Sequence, residues 1–280
     1  MNWAQHVYLY DEPSAATLDA SILGSFIKTL LPEIKIAVRD SFIGFHFVSL
    51  SQEERKRKID YLAEELAKAK VRDPFKPLKK ESPLPGEINY EKRRLSAPIS
   101  QSFGLLYDGI EIINILRELI PKQERSFKHI HIIFTNQLFG TWDEANHRYH
   151  ARVLICSFPS LISTTGIVEA PAKPREFYLL KKQYLSVGMP DIEGIKFQYK
   201  DQFIDYDDNR LTQVMKGYVM QALFYHLTGE PFCEDKNCRL YNSHWQKEVI
   251  QAQLESPYEF CSFHQKELQR LSDRLKSISI

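Results

Sequence analysis

Cys233, Cys238, Cys261 and His264 are the residues of this chain whose types and spacing most directly imply chemistry. Two cysteines bracket four residues, then a cysteine and a histidine bracket two, and both pairs lie in the last third of the chain. Thiolate and imidazole are donors that zinc prefers, four in a tetrahedron, and two short turns of paired ligands supply that geometry. A site closed by four protein atoms leaves no position for water, so the pattern implies one structural zinc per chain. The first pair departs from the commonest two-residue knuckle, and buried cysteines beside a hydrogen-bonded histidine are the competing reading. His244 stands nearby as a spare donor.

Other titratable residues carry weaker signals. His147 and His150 stand in NHRYH beside Asp143 and Glu144. Residues three apart face opposite sides of a strand, so a shared metal there needs a turn, and a solvated hairpin tip is the simpler reading. His129 and His131 share one strand face, which suits a metal better, yet a packed histidine pair is the expected outcome. His226 reads as a hydrogen-bonded histidine on a buried helix. Glu169, Lys173 and Arg175 flank the proline-punctuated EAPAKPRE segment. Glu169 and Arg175, with His147 and His150, are candidate contacts for an anionic or peptide ligand, against ordinary charge pairing on a surface loop. No P-loop, GxGxxG fingerprint or GxSxG elbow occurs.

The elements that must position these residues follow from periodicity and punctuation. Strands are expected at His6–Tyr10, Ile34–Arg39, Phe42–Leu50, Lys128–Thr135 and His150–Ser157, the last placing Cys156 near the core. Ser14–Leu31 reads as a helix with Leu18, Ile22, Phe26 and Leu30 on its apolar face. Phe103–Ile120 reads as another, facing inward through Leu106, Ile110, Ile113 and Leu116. Ser51 and Glu54 form a capping box for a helix reaching about Lys70. Asp207-Asp208-Asn209 caps a long helix from Leu211 to Leu227, stopped by Gly229, and a last helix spans about Gln265–Lys276. Turns are expected at Gly140 and a loop at Ser163–Gly166. Pro74, Pro77, Pro83, Pro85 and Pro98 mark residues 73–98 as an extended insertion or linker, basic through Lys76, Lys79, Lys80, Lys92, Arg93 and Arg94.

Strand-helix alternation followed by helices predicts one α/β domain over 1–280, a mixed sheet with flanking helices, with residues 209–280 as a zinc-stabilised helical C-terminal subdomain. The chain has 280 residues, 37 Lys+Arg against 36 Asp+Glu and 43% hydrophobic residues, enough for a sizeable core and against disorder. A net charge of +1 provides no field for a polyanion, which disfavours nucleic acid as a partner. Four cysteines make no disulfide scaffold, no leader opens the chain, and no apolar run is long enough for a bilayer. These features predict a soluble cytoplasmic protein without a membrane partner.

The C-terminal segment ALFYHLTGEPFCEDKNCRL, followed later by CSFH, resembles the archaemetzincins, whose signature is HExxHxxGxxH, then Cys-x4-Cys-x-Met and a later Cys-x2-Cys. Aligned on Cys233, Gly229 takes the motif glycine and His226 the second histidine, Cys238 and Cys261 match cysteines, and His264 stands at the fourth. The resemblance is specific over about Leu211–Leu268 and looser upstream. It implies a metzincin-like fold and kinship with an archaeal group of metallopeptidase-like proteins. It also marks departures: Ala222 replaces the first histidine, Leu223 the catalytic glutamate, Phe232 the third histidine and Leu240 the Met-turn methionine. A zincin needs two histidines one helical turn apart and a carboxylate beside them to take a proton from bound water. The resemblance thus implies a metallopeptidase homologue with an incomplete catalytic site, a non-catalytic binder of peptide or protein. The alternatives are an active metal-dependent hydrolase with non-standard ligands around His226, drawing on His129–His150, and a nucleic-acid accessory using the basic insertion.

Overall fold

The computed structural model describes residues 4–96, 104–186, 188 and 192–278. In chain order its first elements are β1 (His6–Tyr10), α1 (Ala20–Leu30), β2 (Lys35–Arg39), α2 (Phe42–Phe47), α3 (Gln52–Lys68) and α4 (Pro85–Ser96). There follow β3 (Leu106–Asp108), α5 (Gly109–Leu119), β4 (His129–Thr135), β5 (Leu138–Asp143), β6 (Arg148–Arg152), β7 (Leu154–Ile155) and β8 (Ser160–Ser163). The helices α6 (Thr164–Glu169), α7 (Arg175–Ser186), α8 (Ile192–Gln198), α9 (Leu211–Thr228), α10 (Gln246–Ile250) and α11 (Ser262–Ile278) complete the chain.

The apolar alternation of HVYLY and HIHIIFT places β1 and β4 side by side at the centre of a five-stranded sheet of order β2-β1-β4-β8-β7. Strands β2, β1, β4 and β8 run parallel, and β7 closes one edge antiparallel to β8. A second sheet, β3-β5-β6, carries the hairpin that holds His147 and His150. Helices cover both faces of the large sheet, as parallel strands require. Leu23 and Ile27 of α1 pack with Val219, Leu223 and Phe224 of α9 against Val7, Leu9 and Ile132. On the opposite face, Phe42, Leu62, Leu66, Ile112 and Leu116 enclose Tyr10, Ile133 and Leu161. No helix among the described residues is long and apolar enough to cross a membrane.

Several local expectations change. Phe42–Leu50 is apolar enough for a strand but forms α2, because the Ser41 hydroxyl accepts from Gly44 N–H and turns the chain into a helix. A short apolar run cannot separate the two by periodicity. Helix α1 begins at Ala20, not Ser14, where the Asp19 carboxylate accepts from Ser21 and Ile22 N–H. Its buried face is Ala20, Leu23, Gly24 and Ile27, leaving Ile22 48% exposed. Likewise α5 starts at Gly109 under an Asp108 cap, with Leu106 in β3 and Ile110 exposed. Phe103, the expected start, lies outside the described residues.

Gly140 is not a turn; it lies in β5, where an added Cβ would stand 2.7 Å from the His150 carbonyl. Ser163–Gly166 is not a loop either. Ser163 ends β8 and its hydroxyl accepts from Gly166 N–H at 2.7 Å, opening the buried helix α6. The proline-rich stretch 73–98 is only partly extended. Pro85 occupies the first position of α4, where its missing N–H costs nothing, and α4 packs on α3. Pro98 lies outside the described residues. The basic charge of the stretch is largely matched internally: Lys76 with Asp73, Lys80 with Glu111, Lys92 with Asp60 and Arg94 with Glu91.

Candidate metal centre

Helix α9 is buried on nearly every side, including Val214, Tyr218, Ala222 and Leu223, as expected of a helix apolar all round. Its N-terminus is capped differently from expectation. The Asp208 carboxylate accepts from the Arg210 guanidinium at 2.7 Å, its backbone carbonyl accepts from Leu211 N–H at 3.0 Å, and no side chain caps the helix. At the other end Gly229 adopts φ 85°, a left-handed conformation that glycine takes without strain, and its N–H bonds to Tyr225 O.

The chain leaving Gly229 folds into a tight knuckle. Cys233 N–H donates to Leu240 O at 2.9 Å and Tyr241 N–H to Cys238 O at 2.9 Å, so the two cysteines are pinned by backbone. Asp235 N–H points at Cys233 Sγ, 3.4 Å away, and Tyr258 Oη donates to the Asp235 carboxylate at 2.6 Å. Cys261 immediately precedes α11, with Gln265 N–H bonded to its carbonyl, so a thiolate there meets the positive end of that helix. His264 lies in the first turn of α11 and is 6% exposed, its ring edge-on to Phe224 of α9 at 5.3 Å.

These positions bring all four sequence-selected donors together, their ligand atoms within 4.8 Å of one another. Cys233 Sγ and Cys261 Sγ are 3.8 Å apart, and His264 Nδ1 lies 3.2 Å from Cys261 Sγ and 3.8 Å from Cys238 Sγ. Zinc–thiolate bonds of about 2.3 Å in a tetrahedron separate sulfurs by about 3.8 Å, so the cluster fits a metal ion in its present shape. Without a cation, burial pushes the Cys238 thiol up to about 12 and raises Cys233 as well. A metal binding here must displace those protons. Among the described residues, no other group of three or more His, Cys, Asp or Glu side chains converges for a metal.

The remaining candidates are dispersed. His226 Nε2 meets Ser160 Oγ at 3.2 Å, and burial lowers its pKa to about 4, which keeps the ring neutral. Ala222, Leu223 and Leu240 have 0% exposure, while Phe232 is 45% exposed. His147 sits at φ 49° in the β5–β6 turn and is exposed, and His150 pairs with Asp143 at 3.3 Å. His129 and His131 do share a strand face, but they bond Tyr8 and Tyr10 hydroxyls at 3.1 and 3.0 Å. Glu169 accepts from Tyr206 Oη, and Arg175 borders a separate cavity beside Trp245. Lys173 is buried, its ammonium on the Val168 carbonyl at 2.7 Å. His244 uses its backbone to bond Ala172 and Glu248 and stands outside the donor cluster.

A cleft absent from the sequence reading lies along the free edge of β7. Arg152–Cys156 form one wall, and Tyr218, Gln221, Phe232 and His244 the other, around a cavity of about 380 Å³. Its walls come from residues more than 60 positions apart, brought together by the packing of α9 and the segments after it beside β7, which no local pattern states.

The family model described as "Probable metallopeptidase family (DUF6775)" matches residues 3–271. No curated protein and no solved structure matches the chain.

Proposed function

We propose that this chain, which belongs to the probable metallopeptidase family, is a non-catalytic peptide- or protein-binding homologue carrying one structural zinc. One observation carries the reading: the positions aligned with the first histidine and the glutamate of the archaemetzincin motif are Ala222 and Leu223, both 0% exposed in the core. Neither side chain can hold a metal or accept a proton, and His226 is engaged with Ser160. A peptidase needs a metal-bound water activated beside a carboxylate, and α9 offers no group for that role.

The zinc belongs to Cys233, Cys238, Cys261 and His264. Four protein donors fill a tetrahedron, so the ion ties the end of α9 to the start of α11 and leaves no coordination position for substrate. Binding falls to the cleft beside β7. An edge strand presents unpaired backbone groups, and an extended peptide can add to it as a further strand while Phe232, Tyr218 and the Arg152 side take side chains. The pairing of Lys76, Lys80, Lys92 and Arg94 with carboxylates supports a peptide over a nucleic acid as the partner.

The test uses one preparation of zinc-loaded protein for both binding and cleavage. Fluorescent random-sequence peptides are expected to bind without being cut, and Phe232→Ala is expected to weaken binding about tenfold without unfolding the chain. Metal-dependent cleavage abolished by His226→Ala would overturn the reading.

A further inference from the structure

We infer that the cleft beside β7 selects peptides that carry a carboxylate, held at one end of the groove by the free fork of Arg152 and the hydroxyl of Tyr218. This rests on the peptide-binding reading and adds the chemistry that the bound chain must carry.

Two contacts fix how α9 lies along β7. His226 meets Ser160 Oγ at 3.2 Å and also hydrogen-bonds the Ser157 backbone, which ties the end of α9 to the stretch that follows β7. Tyr218 stands two turns earlier on α9, about 12 Å back along the helix axis. Arg152 stands before β7, about 16 Å back from Ser157 along the extended chain. Both border the one cavity of about 380 Å³, toward the end away from His226.

The polar groups there lack partners. Arg152 Nε donates to Thr141 Oγ1 at 3.0 Å, which orients the guanidinium, and its two Nη groups make no ion pair or hydrogen bond among the described residues. Asp143, the carboxylate of the same hairpin, is engaged by His150 at 3.3 Å. Tyr218 is 7% exposed, yet its hydroxyl has no hydrogen-bond partner among the described residues, and burial alone acts on its ionisation. Ser243 Oγ, also on the lining, is covered and unpartnered. A buried hydroxyl without an acceptor weakens the fold, and a ligand oxygen relieves it. Among the described residues no Asp or Glu borders the cleft, so nothing on its walls neutralises Arg152. A forked cation beside O–H donors matches a carboxylate, which only accepts and can take two parallel N–H bonds. In a peptide that group is the C-terminal carboxylate or an Asp or Glu side chain.

Fluorescence anisotropy of the zinc-loaded full chain with three pools of rhodamine-labelled random octapeptides tests the site. All lack Asp and Glu at the random positions. One pool ends in an amide, one in a free carboxylate, and one in an amide with a fixed central Glu. At least one acid-bearing pool is expected to bind about tenfold more tightly than the neutral pool, and which one does so identifies the source of the carboxylate. Arg152→Gln is expected to erase that difference. Tyr218→Phe is expected to reduce it about fivefold while keeping or raising the melting temperature, because it removes an unpaired buried hydroxyl. Equal binding of all three pools would overturn this inference and leave the peptide-binding reading standing, as would an acid preference untouched in Arg152→Gln or Tyr218→Phe. Binding of no pool would overturn both.

Discussion

Helix α9 and the knuckle that follows it treat donor side chains in opposite ways. Along α9 the motif positions are absorbed by packing: Ala222 and Leu223 are buried, and His226 is satisfied by a serine hydroxyl. A few residues later, Cys233 and Cys238 turn inward toward Cys261 and His264. The difference follows from what each segment has to bury. Helix α9 packs beside α1 on one face of the sheet and is held by apolar contacts on almost every side. The knuckle buries little besides Cys238, Arg239 and Leu240, and a segment with so small a core needs a cross-link to hold its shape. Donors converge where packing is thin.

The sharpest way to break this contrast is to place a glutamate at position 223, where the archaemetzincin resemblance would align one. Leu223→Glu is expected to cost more than ~5 kcal/mol in urea unfolding, because it buries an unpaired carboxylate in the core. A variant of near wild-type stability would mean that this face of α9 opens onto a cleft. Next in size, Cys238→Ser is expected to lose the metal and about 4 kcal/mol, seen as a melting temperature lower by roughly 8–16 °C. An unchanged melting curve would place no metal in the knuckle.

The histidines absorbed by the fold should behave differently from a liganding one. Burial holds His131 at about 4 against an ordinary 6.5, so the unfolded chain binds a proton between those values that the folded chain refuses. Stability is therefore steady above pH 6.5 and falls as pH drops toward 4, by about 3 kcal/mol for this residue. Arg39 and Glu124 face the same ring, and Glu124, held low by Arg39, adds to the loss as pH falls from its ordinary 4.5 toward its depressed value. Urea melts from pH 7 to pH 4 measure the slope, to which His46 and His226, also held at about 4 by burial, contribute, and His131→Gln is expected to lessen it by its own share. The smallest effect belongs to His226→Ala, about 1–2 kcal/mol for the lost hydrogen bond with no change in metal content.

How much of this was legible in the sequence depended on whether a residue's role is local. Ser51 and Glu54 form their capping box, Gly229 stops α9, and the four donors meet, because caps, glycine stops and paired-ligand turns are written in short spacings. The expected inward faces of α1 and α5 hold in part: Leu18, Phe26, Leu30, Ile113 and Leu116 pack on the cores, while Ile22 and Ile110 are apolar yet look outward. Glu91 sits within a stretch rich in proline and charge, and nothing local announces that Lys70, Arg94 and Tyr107 will enclose it. The cleft beside β7 was invisible for the same reason, being assembled from segments far apart in the chain.

The most direct measurement of the contrast between α9 and the knuckle is metal stoichiometry by elemental analysis on the purified, folded chain. One zinc per chain is expected, retained in His226→Ala and lost in Cys233→Ser and Cys261→Ser. A folded protein without metal would contradict the knuckle as a zinc site. Two zincs, one of them removed by His226→Ala, would contradict the absorption of α9 into the core.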